Sequence, residues 1–93
     1  MFMVRMETNF PPDMDPEFKA DLLAREKAYG QKLQESGRMK YLWRVVGPRL
    51  ANVGIYDMTN VELQEWLSGL PMRPWLEATV VPLAPHPSAL KEF

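Results

Sequence analysis

Side chains alternate from Phe2 to Thr8, with Phe2, Val4, Met6 and Thr8 on one side and Met3, Arg5 and Glu7 on the other. That period of two predicts a first strand. Asn9 to Asp15 carries two prolines and two acids, which break regular structure. Asp15 then offers an N-cap with Pro16 at the first helical position. The spacing of Phe18, Leu22, Tyr29 and Leu33 predicts a long helix from there to about Ser36, stopped by Gly37. Alternation returns from Lys40 to Val46, with Tyr41, Trp43 and Val45 opposed to Leu42, Arg44 and Val46, until Gly47-Pro48 interrupts it. Ala51 to Asp57 is rich in β-branched and aromatic residues and follows closely enough to return antiparallel, a hairpin with a loop of about four residues. Thr59 and Glu62 form a capping box ahead of Leu63, Trp66, Leu67 and Leu70, which predicts a short helix ending near Gly69. A segment interrupted by proline, Leu70 to Trp75, leads to a last strand over Glu77 to Leu83, where Pro82 restricts the end to an edge. Ala84 to Phe93 shows no period.

The order β-α-β-β-α-β is the split βαβ arrangement, an α+β fold with a four-stranded antiparallel sheet and two helices on one face. The other face, bearing Tyr41 and Trp43, must meet water or another subunit. Composition strengthens the second option. Ninety-three residues allow one domain, 1–93, with a C-terminal tail at 83–93 free to pack on a neighbouring subunit. A chain this small leaves much of its surface wet, yet 46% of its residues are hydrophobic. The expectation is a homo-oligomer whose copies complete a pocket that one chain lacks. Eleven basic and twelve acidic residues, well mixed, give no field that would attract nucleic acid or anionic lipid. With no cysteine there is neither a disulfide framework nor a thiolate metal site. The apolar run at the start is too short for a signal peptide, and no stretch approaches a membrane span. These features point to the cytoplasm.

Glu26 projects close to the centre of the apolar stripe on the first helix. An acid there is either paired with an arginine at the edge of the stripe or tuned towards proton transfer as a general base. Arg44 shares a strand face with Leu42 and Val46. Its guanidinium suits a substrate carboxylate in two-point contact, or equally an ion pair with Glu26 or another acid. Asn52 could donate to an enolate oxygen, although asparagines in hairpins more often satisfy their own turn. His86, the single histidine, lies between two prolines in the tail and reads as exposed. Trp43, Trp66 and Trp75 read as core or interface, and Trp43 and Trp75 also suit an apolar substrate pocket. No phosphate loop, metal-ligand cluster or Ser-His-Asp set can be assembled, so the expected chemistry uses no cofactor and no metal.

Several strings taken together resemble the muconolactone delta-isomerase family: Ala24-Arg25-Glu26-Lys27-Ala28, Leu33-Gln34-Glu35-Ser36-Gly37 and Leu42-Trp43-Arg44-Val45-Val46-Gly47. Ala51-Asn52, Tyr56-Asp57, Leu70-Pro71 and Pro82-Leu83-Ala84-Pro85-His86-Pro87-Ser88 extend the likeness over nearly the whole chain. The resemblance implies a ferredoxin-like fold with dimers of α+β-barrel type, a decamer built from them, and active sites between subunits. It also implies a cofactor-independent proton shift that moves the double bond of an unsaturated lactone in aromatic catabolism. Glu26 matches the family's helical glutamate, the proton carrier, and Arg44 its Trp-Arg motif. Met3 and Gln64 stand where the family often has histidines. The loop Gly47-Pro48-Arg49-Leu50-Ala51 lacks the usual tyrosine, and Met72-Arg73-Pro74-Trp75 replaces a Phe-Pro-Tyr type segment. Those departures imply a larger or less polar substrate than muconolactone. A cyclase or lactone dehalogenase on the same scaffold, and a binding protein without catalysis, are the alternatives.

Overall fold

The alternation at the amino terminus becomes β1 (Phe2–Thr8), which lies inside the sheet and pairs antiparallel with two neighbours. The computed structural model describes residues 1–47 and 50–90. Pro48 and Arg49 of the loop discussed above, and residues 91–93 of the tail, lie outside the described residues. The Asp15 carboxylate accepts from the Phe18 amide at 3.0 Å, and α1 (Pro16–Glu35) begins there. Gly37, with φ of 79°, turns the chain out of the helix in a conformation glycine adopts without strain. β2 (Met39–Arg44) and β3 (Ala51–Tyr56) form the expected hairpin. α2 (Asn60–Ser68) opens on the complete Thr59–Glu62 capping box. One turn of 3-10 helix, Arg73–Trp75, then hands the chain to β4 (Leu76–Pro82).

The sheet order is β2-β3-β1-β4, antiparallel throughout. Val4, Met6 and Tyr56 point from it into a core shared with Leu63 and Leu70, against which Tyr29, Leu33, Trp66 and Leu67 pack. Tyr29 stacks on Trp66 with ring centroids 5.4 Å apart and donates its hydroxyl to the Trp66 carbonyl, tying α1 to α2. Arg38, just past α1, forms an ion pair with Glu62 in the first turn of α2. A domain of this size buries limited apolar surface, so such ties between its two helices matter.

Two expectations need correction, and one irregularity of β2 adds to them. β2 ends at Arg44 and not at Val46, because the last backbone pairing, Val45 amide to Ala51 carbonyl at 2.9 Å, closes the hairpin; Val46 beyond it is 98% exposed. Phe18 leaves the helix stripe and is 45% exposed, its ring set 6.0 Å from that of Trp75 instead of in the core. A register irregularity between Met39 and Tyr41 changes the face on which β2 side chains emerge, so Met39 enters the core while Tyr41 emerges on the open face.

Candidate active site

Register places the side chains of the site. Asn52 pairs with Met6 and Arg44, and Gly54 with Val4 and Leu42, so Arg44, Leu42, Asn52 and Tyr56 share the sheet face that α1 covers. Glu26 on α1 meets them across a cavity of about 380 Å³, whose wall includes Glu26, Arg44, Asn52, Tyr56, Leu50 and Met72. That volume falls within the range of small-molecule sites, roughly 300 to 1,000 Å³. One chain thus already brings these side chains to the wall of one cavity.

Glu26 is half-buried, and one of its carboxylate oxygens accepts from the Met72 amide at 3.4 Å, a long and weak contact. Burial pushes its pKa above the usual carboxylate range, against a smaller opposing effect of that amide. Among the described residues it forms no ion pair with Arg44, so the carboxylate remains directed at the cavity. Its charge is felt on both neighbouring phenols, and burial with that charge raises Tyr29 and Tyr56 above the ordinary tyrosine value. Tyr56 is fully buried, and its hydroxyl has no hydrogen-bond partner among the described residues. Such an acid can accept a proton from carbon near neutral pH better than an ordinary carboxylate, and exposed Arg44 offers a cation to an anionic substrate group at the rim.

Glu26, Arg44 and Asn52 thus come together. Trp43 does not join them: it emerges on the opposite face of the sheet, paired with Val53 and stacked on Tyr41 at 5.0 Å. Trp75 also stays outside the cavity wall and clusters with Phe10 and Phe18 near the start of α1. Met3 lies on the open face, and Gln64 lines a different groove beside α2. Of the positions that depart from the family pattern, Leu50 and Met72 reach the Glu26 cavity. His86 is exposed in the tail, its Nδ1 accepting from the Ser88 amide at 3.0 Å. Among the described residues no three His, Asp or Glu side chains converge as a metal-ligand set. Tyr56 was missed by the sequence reading, although its even spacing from Asn52 and Gly54 on β3 places all three on the covered face.

A four-stranded sheet with both helices on one face, and a half-buried carboxylate over a cavity between the layers, defines a ferredoxin-like α+β protein equipped for acid–base chemistry. More narrowly, the chain belongs to the muconolactone delta-isomerase family, whose model matches residues 1–89. It is 46% identical over 92 residues to Muconolactone Delta-isomerase of Cupriavidus pinatubonensis, covering 98% of this chain and 99% of that one. Identity to Muconolactone Delta-isomerase 1 of Acinetobacter lwoffii is 44% over 93 residues, covering 99% and 96%. A crystal structure of muconolactone isomerase superposes with a TM-score of 0.89 at 38% identity, covering 99% of this chain and 96% of that one.

Proposed function

We propose that this chain is a cofactor-independent isomerase that shifts the double bond of muconolactone, with Glu26 as the proton carrier. The observation that carries this reading is the Glu26 carboxylate, unpaired with arginine and raised in pKa, facing the same cavity as Arg44 and Asn52 in a chain of this family. Glu26 removes a proton from the saturated carbon next to the double bond that is conjugated with the lactone carbonyl. The electron pair moves through the double bond onto the carbonyl oxygen, and the proton returns two carbons away. One proton leaves and one returns, so the step balances without an oxidant or reductant. Arg44 holds the substrate carboxylate at the rim, and Asn52 lies beside it on the ladder.

A binding protein without catalysis would more naturally pair Glu26 and shut it away, so the open carboxylate favours the enzyme. The cavity lining at Leu50 and Met72 is apolar, which suits muconolactone or a bulkier relative. We further infer a cytoplasmic homo-oligomer acting in aromatic catabolism, the decamer being the form that the resemblance implies. No helix among the described residues is long and apolar enough to cross a membrane.

The test is to mix the purified protein with muconolactone and follow the shift by ultraviolet absorbance. Turnover is expected, with Glu26→Gln reducing kcat by roughly 10²- to 10⁴-fold. Because the base must be ionised, activity should fall as pH drops through the raised Glu26 pKa, at a higher pH than for an ordinary carboxylate. Absence of turnover, or a fully active Glu26→Gln variant, would overturn the assignment.

A further inference from the structure

The Tyr56 hydroxyl is buried with no hydrogen-bond partner among the described residues. Folded chains leave few buried donors unpaired, and such a group calls for a partner of its own. Its position is also enforced. The ring packs against Trp66, centroids 5.2 Å apart, and lies back along β3 over Gly54. A Cβ at Gly54 would sit 2.6 Å from one ring carbon and 2.7 Å from the hydroxyl oxygen, so only glycine leaves room for the phenol there. Gly54 pairs with Leu42, and Leu42 and Tyr56 both line the Glu26 cavity. The phenol therefore lies two residues along the strand from the Asn52–Arg44 pair.

We propose that Tyr56 donates the hydrogen bond that holds the lactone carbonyl oxygen of the substrate while Glu26 moves the proton. This assignment rests on the isomerase reading above. A substrate with a charged carboxylate and an uncharged ring is then placed with the carboxylate towards exposed Arg44 and the ring towards the dry phenol. When Glu26 takes the proton, negative charge collects on the carbonyl oxygen, and a donor already in place and shielded from water is most effective at that moment. Burial and the nearby Glu26 charge raise the phenol's pKa, so Tyr56 keeps its proton and donates throughout. The electron pair returns to carbon as Glu26 delivers the proton, and Tyr56 ends unchanged.

The experiment compares native protein, Tyr56→Phe and Asn52→Ala, each as the full chain, by steady-state muconolactone isomerisation over pH and by thermal denaturation. For Tyr56→Phe, kcat is expected to fall by roughly 10- to 100-fold with KM nearly unchanged, as for a contact that strengthens in the transition state. The same variant should melt no lower than the native protein, because it loses only an unpaired hydroxyl. That combination separates a substrate contact from a structural role. Native kcat in Tyr56→Phe, with or without a loss in Asn52→Ala, overturns the assignment. An unchanged plateau with a displaced acid limb also overturns it, since the phenol would then act on Glu26 and not on the substrate. Native protein that leaves muconolactone unchanged defeats the isomerase reading itself, a result distinct from both.

Discussion

Glu26 is held half out of water, and its raised pKa means that the folded chain binds its proton more tightly than the unfolded chain does. Stability from this residue is therefore fullest below the ordinary glutamate pKa of about 4.3 and is lost as pH rises through the higher folded value. At neutral pH the ionised carboxylate weakens the fold. Glu26→Gln should accordingly melt at a higher temperature than the native protein at pH 7, with the advantage shrinking at pH 4 and below; calorimetry at both pH values checks this. A lower melting temperature at pH 7 would mean that the carboxylate has a stabilising partner. Glu26 was legible in the sequence because an acid on an apolar stripe is conspicuous. Tyr56 was not, because its importance comes from burial and from the space above Gly54, neither of which a local pattern carries. Trp43 illustrates the opposite problem: alternation along β2 already separated it from Arg44, yet its size favoured a place in the pocket.

Among elements, the helices were the most legible, since Asp15-Pro16, Gly37 and the Thr59–Glu62 box are local signals and all act in the structure as they do in short segments. Strand edges were harder. The end of β2 depends on where its ladder with β3 stops, and the irregularity between Met39 and Tyr41 decides which side chains enter the core. Leu70 and Met72 looked like irregular chain interrupted by proline, but both are buried, and the Met72 amide reaches Glu26. β3 has the most demanding local packing, at Gly54. Gly54→Ala should destabilise the domain by about 1–3 kcal/mol, because the fully buried Tyr56 ring has little freedom to move away from the added methyl group. Urea denaturation would show this as a lower midpoint with an unchanged slope. A neutral substitution would show that the ring can shift.

At the scale of the molecule, the split βαβ order made the one-sided sheet predictable, while the cavity was not, since it is bounded by residues far apart in sequence. Its opposite face carries the stacked Tyr41 and Trp43, the latter 52% exposed. Trp66 lies against the core and Trp75 in the cluster with Phe10 and Phe18. The three indoles thus occupy three different surroundings, and the molecule carries a built-in optical gauge. If copies associate through the open face, Trp43 alone should pass from a wet to a dry setting, and emission should shift to the red as the protein is diluted. Trp43→Phe should abolish that shift; a spectrum independent of concentration, with light scattering still reporting assembly, would move the contact to another face. The same aromatic pair that contributes nothing to the cavity would then let subunit exchange be followed in real time, without any attached dye.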